Sequence, residues 1–353
     1  MAFFYDKWTI VDIDLDNILM LRKSTNDILL DTISKDTNIS KKESVVKDIL
    51  EEYDVAIGFE NELYIIYQNK EMHLVLTILK GEDRQDINLT LDPIPEVIDI
   101  NIKIIEDKIH IIYIIKMEDE KKLYRIYHNY YDGKDWATYI VKEIIAKKVL
   151  NPIKLIQEEE NLFLAYYNNQ KEIEIKEFNG KMVEWSKKFK LVENNNEKLY
   201  LDMIRKDNII YLTYCEFQND NLVIMYERFR YVEGVYKKEL EKIISNEGSL
   251  SNPTIIFYNN NLWITWVETD KVISRISEDG GEKWSPYMYM WNQINDIDFV
   301  RYKYLSKDIK KDIALDYSFG SVYPEIKFIG FGSVENTTKI PIKKKNSMNL
   351  TII

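Results

Sequence analysis

Apolar residues recur along this chain in short runs rich in Ile, Val, Tyr and Phe, each bounded by Asn, Asp, Gly or Lys. Runs this short, with β-branched and aromatic residues and no sustained 3.6-residue period, predict β-strands. One unit then repeats: a turn residue, an apolar strand, and an aromatic six residues after the turn. It reads Asn61-Glu62-Leu63-Tyr64-Ile65-Ile66-Tyr67 and again Asp107-Lys108-Ile109-His110-Ile111-Ile112-Tyr113. Further copies run Glu160–Tyr166, Asn208–Tyr214 and Asn260–Trp266, with a weaker one from Lys311 to Tyr317. The first copy starts at Asp16 and carries Arg22 where the aromatic belongs.

The anchors at 16, 61, 107, 160, 208, 260 and 311 are spaced by 45 to 53 residues. Four short antiparallel strands and their turns occupy that length, which is one blade of a β-propeller. The pattern therefore predicts an all-β chain: a seven-bladed propeller of four-stranded blades over residues 1–342, with residues 343–353 as a basic tail or closing strand. Apolar runs before each anchor, such as Ile98–Ile105 and Leu199–Ile204, read as innermost strands. Runs after it, such as Leu222–Phe229, read as third strands. Only Ser40–Tyr53 suggests a helix, because Ser40 and Glu43 have capping-box spacing. Either Ala2–Phe4 or Leu350–Ile353 is available to close the ring and remove an open sheet edge.

Composition and charge narrow the function. The formal charge is −11, from 48 Lys and Arg against 59 Asp and Glu, which disfavours a nucleic-acid surface. The single cysteine, Cys215, excludes an intrachain disulfide and any cysteine-based metal cluster. His73, His110 and His128 are scattered without metal-ligand spacing, so neither a metal nor another cofactor is expected. No apolar run reaches the length needed to span a bilayer, and no export signal is visible, so a cytoplasmic location is expected.

One motif is complete. Ser277-Glu278-Asp279-Gly280-Gly281-Glu282-Lys283-Trp284 fits Ser-x-Asp-x-Gly-x-x-Trp and falls after the third strand of the sixth unit. Ser277 and Asp279 supply oxygens for backbone amides, Gly281 supplies a positive φ, and Trp284 packs back on the sheet. Asn129–Trp136 is an eroded version with Tyr131 at the Asp position. The motif resembles the Asp-box of sialidase-like, BNR-repeat propellers. The resemblance implies a folding element on the blade rim, and in an active sialidase also three arginines that grip a carboxylate. The expected Arg-bearing first strand reads Trp8-Thr9-Ile10-Val11-Asp12-Ile13, without arginine, so sialidase activity is not expected.

The innermost strands carry unexpected polar residues. Asp99, Asn101 and Lys103 alternate with isoleucines, Asp12 and Asp14 alternate with Ile13, and Asp202, Arg205, Asp298, Arg301 and Lys303 fall at comparable places. A strand between two blades is ordinarily apolar on both faces, so these residues are expected to face a central channel. Asp12, Asp14, Asp99, Asn101, Asp202, Arg205 and Arg301 are the ligand-binding candidates. The main expectation is a non-catalytic module that binds a protein partner, with Tyr130, Tyr131, Tyr287, Tyr289 and Trp291 as contact residues. The alternative is a carbohydrate-binding or degenerate glycosidase-like propeller.

Overall fold

The computed structural model describes residues 7–12, 16–36, 40–117, 123–145, 152–218, 220–291, 299–307, 312–322 and 326–343. Among them there is no helix. The first sheet begins with β1 (Trp8–Asp12), β2 (Asn17–Ser24), β3 (Asp27–Ser34) and β4 (Ser40–Val46). The second is β5 (Ile49–Ile57), β6 (Leu63–Asn69), β7 (Leu74–Lys80) and β8 (Asp83–Asn88). The third is β9 (Val97–Ile105), β10 (Lys108–Lys116), β11 (Leu123–Tyr131) and β12 (Trp136–Ile145). The fourth holds β13 (Ile153–Glu158), β14 (Asn161–Tyr167) and β15 (Ile173–Asn179), with β16 (Glu184–Trp185) and β17 (Phe189–Val192) both along β15. The fifth is β18 (Lys198–Lys206), β19 (Ile209–Gln218), β20 (Asn221–Val232) and β21 (Val235–Ile243). The sixth contains β22 (Leu250–Tyr258), β23 (Asn261–Glu268), β24 (Lys271–Ser277) and β25 (Tyr287–Trp291).

The seventh repeat unit does not form a sheet of its own. Its strands are β26 (Val300–Ser306), β27 (Ile313–Ala314), β28 (Tyr317–Ser321) and β29 (Lys327–Ile329). β26 hydrogen-bonds in parallel to β1, with Thr9 opposite Lys303, so β26, β28 and β29 extend the first sheet. β27 instead pairs with the end of β22. A last strand, β30 (Thr337–Pro341), pairs with β25 at the outer edge of the sixth sheet. The described residues thus form six sheets, where the repeat count led to an expectation of seven blades. The two terminal segments offered for closure lie outside the described residues, as does the tail beyond Lys343. Among the described residues, the parallel contact of β1 with β26 joins the first and seventh repeat units.

Burial explains the strand composition. Middle strands such as β10 are covered on both faces by the neighbouring sheets, so seven of its nine residues in sequence, Ile109–Ile115, are buried. The outermost β8 reads Asp-Arg-Gln-Asp-Ile-Asn and is largely exposed. The larger apolar clusters join consecutive sheets. Leu21 and Leu30 meet Tyr53 and Ile65, Leu76 meets Ile102 and Ile111, and Ile126 meets Leu155 and Leu164. Leu212 then meets Ile175, and Tyr226 meets Trp266 and Ile255. Val267 and Phe319 connect the sixth sheet back to the strands beside β1. A ring of radially stacked antiparallel sheets around an axis is a β-propeller.

The helix expected over Ser40–Tyr53 is not formed. β4 pairs with β3 so that Val46 lies opposite Ile28, and the chain then turns at Asp48, with φ of 58°, into β5. The segment has to carry the chain from the rim of one sheet to the axis of the next. Val45, Val46 and Ile49 are each buried between two sheets, an arrangement a helix there would break.

Candidate functional site

The second strand of each sheet sets the position of its innermost neighbour. Five residues past the first six anchors come Leu21, Ile66, Ile112, Ala165, Thr213 and Thr265, and opposite them on the innermost strands lie Thr9, Asp54, Asn101, Lys154, Asp202 and Thr254. Lys303 lies beside Thr9 across the parallel pair. Every one of these positions is polar, and all but Asn101 are buried. Together they form a polar ring around the axis. Sequence reading singled out Asn101, Asp202 and Lys303 but missed Thr9, Asp54, Lys154 and Thr254. Aligning the copies on their anchors was the signal that would have found them.

The ring is an ion-pair network. Lys303 Nζ donates to both carboxylate oxygens of Asp54 at 2.8 Å and to the Val55 carbonyl at 2.8 Å. Lys154 Nζ lies 2.7 Å from Asp202 Oδ1 and 2.6 Å from Asp316 Oδ2. The backbone N–H of Ile102 donates to Asp54, and that of Ile255 to Asp202, each at 2.8 Å. Each carboxylate therefore ties its own sheet to the next, satisfying backbone groups that would otherwise be buried unpaired. Burial works against the Lys154 charge, but Asp202 and Asp316 hold its pKa above the usual lysine value. Burial likewise opposes ionisation of Asp316, yet Lys103, Lys154 and Lys303 pull its carboxyl far below the usual range.

Beside the ring opens a cavity of about 210 Å³, lined among others by Trp8, Asp99, Tyr200, Asn252, Arg301 and Tyr317. Three of these share one backbone device. Asp99, Tyr200 and Asn252 have φ of 52°, 57° and 51°, and each sits at a register shift in its innermost strand. A bulge with a left-handed residue re-aims a side chain, here toward the axis, at a backbone cost that clusters at functional positions. Arg301 lies over the Tyr317 ring at 4.0 Å. Asp99 Oδ2, Arg301 Nε and Trp8 Nε1 are buried without hydrogen-bond partners. Burial is the main cause that pushes the Asp99 carboxyl up to about 6, with nearby Lys7 opposing and Glu52 adding.

That shift has a consequence for stability. Between about pH 4 and 6 the unfolded chain releases this proton before the folded chain does, so folding is penalised as pH rises, fully above pH 6. Asp99→Asn removes the penalty and is expected to stabilise the protein at pH 7.5 by roughly 1–2 kcal/mol, allowing for the carboxylate's partial exposure. At pH 4 the gain should vanish. Urea unfolding at both pH values checks this, and a loss of stability at pH 7.5 would contradict it.

Not every predicted channel residue faces the channel. Asn101 donates through Nδ2 to the Asp99 carbonyl at 2.8 Å and lines the cavity with Asp99 and Arg301. Asp202 is buried one step behind, on Lys154. Asp12 is turned away, held by Lys35 at 2.7 Å and the Tyr304 hydroxyl at 3.0 Å. Arg205, near the end of β18, pairs with Glu158 and packs over Phe163, lining a separate acidic groove between the fourth and fifth sheets. Strict alternation failed for both because one lies at a strand end and the other on the strand that pairs edgewise with β26. Asp14 and Asp298 lie outside the described residues.

The Ser277–Trp284 turn closes as its chemistry implies. Ser277 Oγ donates to Asp279 Oδ1 at 2.9 Å and accepts from the Gly281 N–H at 2.8 Å, and Lys283 N–H donates to Asp279 at 2.7 Å. These bonds hold the Asp279 carboxyl below its usual range, the Lys283 amide first among them. Trp284 meets Tyr226 edge to face at 5.2 Å and is half-buried rather than wholly covered. Tyr226 and Arg228 of the fifth sheet both donate to the Gly280 carbonyl, at 2.8 and 2.9 Å. None of these residues lines the axial cavity. In the third sheet the corresponding capping falls to Asp132, which accepts from the N–H groups of Lys134 and Asp135 at 2.8 Å.

Other singled-out residues are structural in their surroundings. His110 and His128 are not isolated: Nδ1 and Nε2 are 3.1 Å apart in a buried stack, and Trp185 Nε1 donates to His128 Nδ1 at 3.1 Å. They occupy facing strands two register steps apart, which only the pairing reveals. Burial pushes His110 down to about 4 and holds His128 well below its usual value. Tyr130, expected as a contact residue, is buried against this pair. Tyr131 packs on Trp136, Trp291 donates to Ser274, Tyr289 is half-buried and Tyr287 is exposed. Cys215 is buried, which pushes its thiol up and leaves it protonated. Among the described residues no group of three or more His, Cys, Asp or Glu could hold a metal ion.

The fold and its axial cavity define the class as a β-propeller. No family model and no curated protein matches the chain. Solved structures similar to it include Aleuria aurantia lectin in complex with alpha-methyl-L-fucoside, at 11% identity over 80% of this chain and 95% of the lectin, with a TM-score of 0.48. SapL1 lectin in complex with alpha methyl fucoside is 8% identical over 80% and 95%, also with a TM-score of 0.48. A GH43 endo-arabinanase from Bacillus licheniformis is 12% identical over 70% and 96%, with a TM-score of 0.37. The resemblance to sialidase-like propellers therefore stands on the residues of the Ser277–Trp284 turn alone.

Proposed function

We propose that this chain is a binding propeller that takes a carbohydrate into the cavity beside its polar ring. The supporting observation is the convergence of three bulged residues, Asp99, Tyr200 and Asn252, on a cavity that also holds aromatic faces and buried polar atoms without partners. Sugars present hydroxyl donors and acceptors around an apolar ring face, and such a wall complements both. In the same reading, β26, β28 and β29 are a reduced seventh blade merged with the first, and the Ser277–Trp284 turn is an Asp-box on the rim. A protein partner is the second reading, favoured by Trp136, Ile140 and Ile145, which are exposed on the open outer strand β12.

A glycan array followed by calorimetry on the purified chain tests the proposal. Tyr200→Asn keeps a residue that tolerates positive φ while removing the aromatic face. It is expected to weaken glycan binding at least tenfold with the unfolding midpoint little changed. Glycan binding that is indifferent to this substitution, or no glycan retained at all, would reject the channel site.

A further inference from the structure

The carboxylates around the axis are not equivalent. Asp54 is held by Lys303, Asp202 and Asp316 by Lys154, and Glu52 by Lys7. Asp99 forms no ion pair among the described residues; Oδ1 takes a long contact of 3.3 Å from the Asn101 amide, and the backbone N–H of Ile153 also acts on the carboxylate, but neither supplies a counter-charge. Lys7, the cation that acts on it, is already bonded to Glu52. Arg301 lines the same cavity and has no carboxylate partner among the described residues; its guanidinium lies over the Tyr317 ring. A carboxylate without a counter-ion and a guanidinium stacked on an aromatic ring thus share a cavity walled by Trp8 and Tyr200.

We infer that the ligand bears a cationic nitrogen, so that, on the carbohydrate reading above, the site selects an amino sugar over its neutral counterpart. The amine would pair with Asp99, supplying the counter-ion that each other carboxylate finds in a lysine. Its charge would also lie beside π faces, which attract cations. Arg301, on the same cavity, would repel the ammonium and donate through its unpartnered Nε to a hydroxyl or ring oxygen, which favours one orientation of the ligand. The strained backbone at Asp99 holds the carboxylate in place before the ligand arrives, which reduces the ordering cost of binding.

Calorimetric titration with glucosamine, glucose, N-acetylglucosamine and glucuronate provides the test. Glucosamine is expected to bind at least tenfold more tightly than the other three at pH 7.5. The preference should shrink as pH falls from 7 to 5, because an amine partner needs the ionised carboxylate, and it should disappear in Asp99→Asn, a variant whose folding is verified by its unfolding curve. Equal binding of glucose and glucosamine, preference for the acetylated or the acidic sugar, or an amino-sugar preference unchanged in Asp99→Asn would overturn the inference while leaving the carbohydrate reading in place. Failure of all four sugars, together with an empty glycan array, would remove both.

Discussion

Lys154→Met is expected to lower the unfolding free energy by about 3–5 kcal/mol, the cost typical of breaking a buried ion pair by removing one partner. The methionine retains most of the side-chain volume, so cavity formation contributes little. What remains is two carboxylates, Asp202 and Asp316, that face the same ammonium at 2.7 and 2.6 Å and lose it together. Asp202 keeps the Ile255 amide, whereas Asp316 keeps Lys103 at 3.7 Å and the more distant charge of Lys303. The pair with Asp316 also spans 162 residues of sequence, so its loss loosens the contact between the fourth sheet and the strands beside the first. Because the Asp316 carboxyl is depressed in the folded chain, its contribution is present above about pH 4 and is lost only in strong acid. Urea unfolding of Lys154→Met, of Asp202→Asn and of the double variant reads the coupling directly. The double variant should lose less than the sum of the single ones, and a Lys154→Met cost below about 1 kcal/mol would mean the ring is not a stabilising network.

Gly281→Ala should be nearly as damaging, by about 2–3 kcal/mol, for a steric reason. Gly281 has φ of 92°, and an added Cβ would stand 2.2 Å from Cε1 of Tyr226. That ring has no room to retreat: Tyr226 is fully buried, its hydroxyl donates to Gly280, and Trp284 packs against its face. Gly234→Ala separates the two components of the cost. Its φ is 83°, but nothing lies within 4 Å of the added carbon, so only the backbone term of about 1 kcal/mol applies. Similar losses in the two variants would show that the contact with the fifth sheet does not matter. Carbohydrate binding should survive both substitutions, since neither glycine lines the axial cavity.

By itself the sequence determined what depends on neighbours in the chain. Apolar runs such as Leu63–Tyr67 and Ile109–Ile115 bury both faces in any radial stack, and the turn residues between them recur at blade length, so strands, repeat and class were legible. The Ser277–Trp284 turn was legible for the same reason, because the hydrogen bonds that close it onto Ser277 and Asp279 stay within eight residues. Only the tertiary structure decided what depends on closing the ring. β1 meets β26 edge to edge, which draws the seventh unit into the first sheet and turns Asp12 toward Lys35 instead of the axis. Bulges at Asp99, Tyr200 and Asn252 break the two-residue alternation, so counting positions along a strand misjudges which side chains reach the cavity. The pairing of Lys154 with Asp316 and of Lys303 with Asp54 joins residues far apart in the chain, and burial makes those charges interact strongly only once the sheets have excluded water from the axis.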